Sequence, residues 1–497
     1  MAAALAVPRA RRVPGGVLAA GAAVAGGVAL GAAVSLVNPI YAVVGLVAAG
    51  VVVGLCLQER GRFWLLAGVI TLLPFAVIPV NFGVQLGMLD ALSALILGVA
   101  LVRFLTRTQP FIHTALDLPV LLYIGLTCVS LAFGMGLMPL DGESARYFIK
   151  ITVAILMFFV LTNSLTTRDR LDSFVKALTL GTFGSAALAV LFQVLGQGMA
   201  ARLLLALTPL GYPAGDCFVD NQGNNVCGVL RYIAGSTIWR ATSTSIDPNI
   251  FGGLLTVGML LLLGRLMARP SRLGWRLGLP ALAIMGWALL QSYSRGAWVG
   301  LAAGLLVLVV MRCRKALPAL LIAGAIAVLA LGQTEFGSHL VQGFLVEDRA
   351  TEMRVGEYQD ALRFISEYPV FGVGYGFYSQ WRSGIHQPGE VYVGVSNMYL
   401  LMALEIGLVG MAGFAGVLGT LAVWGWRRYR EADEEGKGWI AAGTSALFAG
   451  GVAGLADHYF AVYPHMTTLW WSLVAIVAVA ARLAVRPREG PPAAAVR

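Results

Sequence analysis

Long apolar runs, separated by short basic or glycine-rich segments, fill the chain from residue 15 to residue 484. Runs near 20 residues suit a helix that crosses a hydrocarbon core. They predict spans near 15–37, 39–58, 63–80, 88–105, 117–138, 147–165, 177–198, 248–266, 277–293, 297–313, 316–332, 396–424, 438–456 and 465–484. Helices of this kind close their own backbone hydrogen bonds, as lipid demands. The short alternating segments of a membrane β-barrel are not seen. The expected fold is an all-α polytopic membrane protein, a bundle of about 12–14 transmembrane helices with a large extracytoplasmic loop containing a helix.

Charge sets the expected orientation. With the N-terminus inside, the basic loops alternate as positive-inside counting requires. Arg60 and Arg62, Arg103 and Arg107, Arg168 and Arg170, Arg265 to Arg276, Arg312 to Lys315, Arg427 to Arg430, and Arg482, Arg486 and Arg488 all fall on the cytoplasmic side. Two hydrophilic segments fall outside, 199–247 and about 333–395. The second holds "EDRATEMRVGEYQDALRFISEYP", where Met353, Tyr358, Leu362 and Ile365 recur at helical spacing and Pro369 ends the helix. The glycine- and aromatic-rich "YPVFGVGYGFYSQW" that follows suits a tight, ligand-facing loop. The expected organisation is a basic cytoplasmic N-terminus 1–14, a membrane region 15–234, a core 235–460 that includes loop 333–395, a last span 461–484, and a disordered cytoplasmic tail 485–497.

Composition agrees with the membrane reading: 58% of residues are hydrophobic and 12% charged, with mean hydropathy +0.79. The net charge of +10 resides in short loops between spans, so it points to membrane orientation rather than nucleic acid. Cys56, Cys128 and Cys313 lie in or beside spans as apolar fillers. Cys217 and Cys227 share the hydrophilic "GDCFVDNQGNNVCG", and a disulfide between them is expected if that loop is outside the cytoplasm. No acidic pair or His/Cys spacing calls for a metal, and no cofactor is expected.

Arginines on the expected outer side stand out, because positive-inside counting disfavours them. Arg295, in "QSYSRGAWVG", would cost about 2.5–3.5 kcal/mol at a bilayer centre; the predicted topology puts it at the outer end of the ninth span. Arg240 precedes the eighth span, and Arg349, Arg354, Arg363 and Arg382 lie in the large loop. Clustered guanidinium groups at a membrane surface suit a phosphate-bearing lipid. Against this stands interfacial snorkelling, or ion pairing with Glu347, Asp348, Glu352 or Glu357. Tyr375, Tyr378, Trp381 and Tyr392 suit either stacking on sugar rings or an interfacial aromatic belt.

The pieces "RATSTSIDPNIFGG", "SRGAWVGL", "YPVFGVGYG" and "SNMYLLMALEIGLVG" occur in the order and spacing of the O-antigen ligase/polymerase family, which residues 235–460 resemble. The resemblance implies a polytopic type C glycosyltransferase using undecaprenyl-diphosphate-linked glycans on the outer leaflet of the bacterial plasma membrane. It implies that Arg295 and Arg240 contact the diphosphate, with Arg354 a weaker correspondence; Asn397, Ser396 and, from its aromatic ring, Tyr375 join them as candidate diphosphate- or glycan-binding residues. The family's histidine, the favoured base, stands directly before the asparagine that opens the span after the large loop; here the pair is Ser396–Asn397. A serine does not replace imidazole near neutral pH. The candidate substitutes are His386, Glu390, and Asp457–His458; His339 and His465 are less favoured, and His113 falls inside.

Such chemistry is expected to be metal-independent and inverting, with arginines neutralising the leaving diphosphate and the partners being the lipid-linked glycan, a glycan or lipid-core acceptor, and membrane lipids. The competing readings are a non-catalytic assembly scaffold, which the missing histidine favours, and a transporter, which the lack of paired halves disfavours.

Overall fold

The structure is a computed structural model that describes residues 54–55, 58–78, 86–212, 217–219, 225–227, 229–233, 238–332, 349–383 and 395–484. The chain forms two contact units, Met1–Leu65 and Leu66–Arg497. The described helices run α1 (Glu59–Leu72), α2 (Met88–Leu105), α3 (Asp117–Leu137), α4 (Gly142–Ser164), α5 (Arg168–Leu195) and α6 (Gln197–Leu205). Two small antiparallel hairpins follow, β1 (Cys217–Val219) with β2 (Asn225–Cys227) and β3 (Arg231–Tyr232) with β4 (Trp239–Arg240). Then come α7 (Pro248–Ala268), α8 (Arg272–Gln291), α9 (Arg295–Arg312), α10 (Leu317–Gly332), α11 (Arg349–Glu367), α12 (Tyr378–Ser383), α13 (Met398–Glu431), α14 (Glu434–Ala453), α15 (Tyr459–Val462) and α16 (Pro464–Leu483).

The protein is all-α and polytopic. Among the described residues, nine helices are long and apolar enough to cross a membrane, fewer than the fourteen apolar runs suggest. The first two expected spans lie almost wholly outside the described residues. α1 has 14 residues and α10 has 16, short of the roughly 20 a span needs. α1 ends at Leu72 because Pro74 follows, and a proline disfavours helix in the residue before it. The chain then makes an isolated bridge, Val77 to Gly87, where a span to residue 80 is expected. α14 is long enough but consists largely of Gly, Ala and Ser.

Those small residues make α14 the hub, packed against α7, α9 and α16. A Cβ added at Gly300 would lie 2.7 Å from the Ala449 carbonyl oxygen, so α9 and α14 approach backbone to backbone. Small residues at such crossings are how membrane helices gain dispersion energy without a hydrophobic driving force.

Alternating helix direction sorts the charges. At one end of the bundle Arg168 donates to both oxygens of Asp433, at 2.7 and 3.0 Å, and to the Leu483 carbonyl at 3.1 Å. Arg265 pairs with Asp172 at 2.7 Å, and Arg269 with Glu435 at 2.6 Å. Arg482 donates to the Thr162 and Leu165 carbonyls, closing the last turn of α4. These residues come from loops that the charge pattern groups on one side.

The 34-residue α13 is broken at Gly407, whose φ is +66°. A break inside a bundle strands backbone groups that lipid cannot satisfy. Residues 369–374 fill it: Val373 and Gly374 donate to the Leu404 and Glu405 carbonyls at 2.9 and 3.1 Å, and Leu408 donates to the Pro369 carbonyl at 2.8 Å. Gly372, Gly374 and Gly376 all have positive φ, at +70°, +103° and +84°, a region that costs other residues about 1–2 kcal/mol each. The glycine loop is therefore tight, as expected, and it fills the helix break.

Candidate arginine site

The site lies at the bundle end opposite the ion pairs of Arg168 and Arg265, where α7, α9 and α13 begin and α8 and α14 end. β4 delivers Arg240 to the α8–α9 turn, and the Ala241 N–H donates to the Gln291 carbonyl at 2.8 Å. The Arg240 Nε donates to the Ser292 carbonyl at 2.8 Å; one terminal nitrogen donates to Asn249 Oδ1 at 2.9 Å and to the Tyr293 carbonyl at 3.3 Å. The turns that hold it are strained. Ser243, Ile246 and Tyr293 have φ of +50°, +61° and +51°, and among the described residues the only other non-glycine residue with positive φ is Arg107. Strain of this kind persists where the surroundings over-determine the backbone, and it concentrates at functional sites.

Arg295 opens α9 in the same turn. Asp247 caps α7 through the N–H groups of Asn249 and Ile250, and Asn397 caps α13 through those of Tyr399 and Leu400. Ser294, at the cap of α9, makes no side-chain cap hydrogen bond. A helix N-terminus that combines an arginine with an uncapped first turn favours an anion.

Asn249 joins the arginine to an acid: its Nδ2 donates to Asp457 Oδ2 at 2.9 Å while its Oδ1 accepts from Arg240. Asp457 Oδ1 accepts the His458 N–H at 2.7 Å and lies 3.4 Å from His458 Nδ1. The Asp457 side chain keeps 16% of its surface exposed. His458 is buried, and among the described residues neither ring nitrogen makes a hydrogen bond. Arg295 and Arg354, distant in sequence, lie within electrostatic range of Arg240. Burial lowers Arg240 to about 10; Asp247 opposes that shift, Arg295 and Arg354 add to it, and Asp457 opposes it. Arg240 therefore stays cationic near neutrality. Burial, then the charge of Asp457, pushes the Asp247 carboxyl above its usual range.

α11 carries Arg354 to this cluster, and α11 is the helix expected in the large loop. Glu357 accepts the Ser396 N–H at 2.8 Å, and the Tyr358 hydroxyl donates to the Ser396 carbonyl at 2.8 Å. The Asn397 amide donates to the Leu455 carbonyl at 3.0 Å, two residues before Asp457. Ser396 thus occupies the histidine position as a docking point for α11, with both backbone groups engaged. Behind it, Ala361, Phe364, Val373, Tyr378, Leu401 and Leu404 form an apolar cluster that sets α11 on α13.

Tyr375 is buried against the rings of Tyr147 and Phe148, at 6.0 and 5.8 Å. Tyr378 and Trp381 pack on Phe364. Arg363 pairs with Glu367 one turn away on an exposed face, an acid other than the four considered as partners. Arg349 and Arg382 fall on α11 and α12. His386, Glu390, Tyr392 and His339 lie outside the described residues. His465 is buried in α16 with Phe75 5.0 Å from its ring, and His113 is exposed beside Asp117. Cys217 is the direct ladder partner of Cys227. Among the described residues, no group of three His, Cys, Asp or Glu side chains could hold a metal ion. Asn249, Glu357 and Tyr358 are the site residues that sequence reasoning missed; the "DPN" triplet after Arg240 was the available signal for the first.

The structure is an all-α polytopic membrane bundle with arginines gathered near strained turns at one end. Residues 280–415 match the family model described as O-Antigen ligase, which supports assignment to the O-antigen ligase family. The match runs from α8 into α13 and contains Arg295, Arg354 and Ser396–Asn397, whereas Arg240 and Asp457 lie outside it. It supports a polysaccharide-assembly membrane enzyme acting on a lipid-linked glycan and an acceptor. No curated protein matches the chain.

Proposed function

We propose that the chain transfers a glycan from an undecaprenyl-diphosphate carrier to an acceptor hydroxyl at the extracytoplasmic side of the bacterial plasma membrane. The observation that carries this reading is that Arg240 is hydrogen-bonded through Asn249 to Asp457, with Arg295 and Arg354, from two further segments, within electrostatic range of it. The acceptor oxygen attacks the anomeric carbon, and its proton passes to the Asp457 carboxylate. The bond from that carbon to the carrier phosphate breaks, and the electron pair leaves with the phosphate oxygen. Arg295 and Arg240 take up the developing charge, so no metal is required. Attack from the opposite face inverts the anomeric centre. Whether the acceptor is a growing polymer or a lipid core is set by parts of the site that these residues do not define.

Asp457 is favoured as base over His458 because it is the more exposed and is already oriented by Asn249. Complementing a deletion strain separates the two. Asp457→Asn is expected to cut glycan output by 100-fold or more, within the range for a lost general base, and His458→Gln by far less. Full output from Asp457→Asn at normal membrane level would remove Asp457 from the mechanism.

The scaffold reading keeps one supporting observation, the serine at the histidine position. It predicts normal output from Arg295→Ala and Asp457→Asn alike. The transporter reading loses ground, since the break in α13 is filled by the glycine loop instead of lining a path. Finally, we expect Cys217 and Cys227 to be disulfide-bonded in isolated membranes. Thiol labelling should rise only after reduction, and labelling of both without reductant would contradict the pairing.

A further inference from the structure

A fourth arginine faces this site. Arg231 on β3 is the direct ladder partner of Arg240 on β4. Residues directly opposite in an antiparallel pair project to the same face, and like charges there repel. The hairpin is not free to separate them. Val229, Leu230 and Trp239 are buried in a cluster with Phe192, Ala200, Ala201 and Leu204, and the Ile233 N–H donates to the Ile238 carbonyl at 3.0 Å.

The two arginines are treated differently by their surroundings. Arg240 is held by two carbonyls and Asn249. Arg231 is exposed, and among the described residues it makes no hydrogen bond or ion pair. Its charge is felt at the hydroxyl of Tyr463, whose ring lies parallel to that of His458 at 6.4 Å. It therefore stands exposed beside the anchored arginine, within electrostatic range of Tyr463. A cation fixed opposite another cation, with no acid paired to it among the described residues, is suited to an anion that arrives from solution.

We propose that Arg231 is a rim contact for a phosphate or carboxylate of the incoming donor, one that captures the donor and passes its charged group inward to Arg240 and Arg295. The inference rests on the glycan-transfer reading of the site. Being exposed, Arg231 governs encounter and salt dependence more than the chemical step.

The test uses the purified full-length protein in liposomes at low ionic strength. Two undecaprenyl-diphosphate-linked donors are compared, one with a neutral glycan and one bearing a uronic acid. Arg231→Gln is expected to raise the KM for donor about fivefold, the effect of one surface arginine on an anionic partner, with kcat little changed. Arg231→Lys should restore the KM, and the difference should shrink at high salt. A rise with both donors assigns the contact to the diphosphate; a rise with the acidic donor alone assigns it to the sugar carboxylate. An unchanged KM with both donors, or a fall in kcat that Lys does not restore, would overturn the proposal. Arg240→Ala and Arg295→Ala are run alongside: if they also leave transfer intact, it is the glycan-transfer reading that has failed.

Discussion

Arg295→Ala is expected to slow glycan transfer about 100- to 1,000-fold, the loss seen when one preorganised donor to a developing oxyanion is removed. Arg295 starts α9 with no side-chain cap beside it, so the helix N-terminus and the guanidinium act on the same anion. The loss should fall on kcat, because the charge they meet grows as the carrier phosphate leaves. Arg295→Lys should recover only part of it, since an ammonium lacks the planar fork that grips two phosphate oxygens. Membrane level should stay close to wild type, as Arg295 is only partly buried. A rate within threefold of wild type would return Arg295 to the role of a cation at a helix end.

The second large effect concerns stability. Gly372→Val is expected to prevent accumulation of folded protein. A Cβ at Gly372 would lie 2.5 Å from the Glu405 carbonyl carbon, and its φ of +70° is unsuited to a β-branched residue. Displacing the loop would also free the Leu404 and Glu405 carbonyls within the bundle, at about 1–3 kcal/mol each. Together these approach the roughly 5–15 kcal/mol that holds a domain folded. Gly356→Ala on α11, where an added Cβ meets nothing within 4 Å, should be neutral or slightly stabilising. Size-exclusion profiles of the detergent-extracted variants, followed through a melt, distinguish the two. A monodisperse Gly372→Val protein with wild-type Tm would mean that the loop does not support α13.

The spans were readable because hydropathy reports burial in lipid directly. Eleven of the expected spans beyond the first three fall on described helices, and the loop helix ends two residues before Pro369 as expected. The break at Gly407 was not readable, because it sits inside an unbroken apolar run; the visible oddity was Glu405 in that run. Arg240 and Arg295 were found from their position beside spans, where a cation needs a reason. Asn249 gave no such signal, since an amide becomes a bridge only when Arg240 and Asp457 arrive from either side. Arg231 was missed because a two-residue strand has no period to detect. Tyr375 shows a general ambiguity: an aromatic beside glycines reads the same whether it faces a sugar or a neighbouring helix.

The most direct test of the account is transfer by the purified protein in liposomes holding an undecaprenyl-diphosphate-linked glycan and an acceptor, with carrier release and anomeric configuration read together. The account predicts one carrier diphosphate released per glycosidic bond formed, an inverted linkage, and neither product from the Arg240→Ala/Arg295→Ala/Arg354→Ala variant. Retained configuration, or equal turnover by that variant, would contradict it.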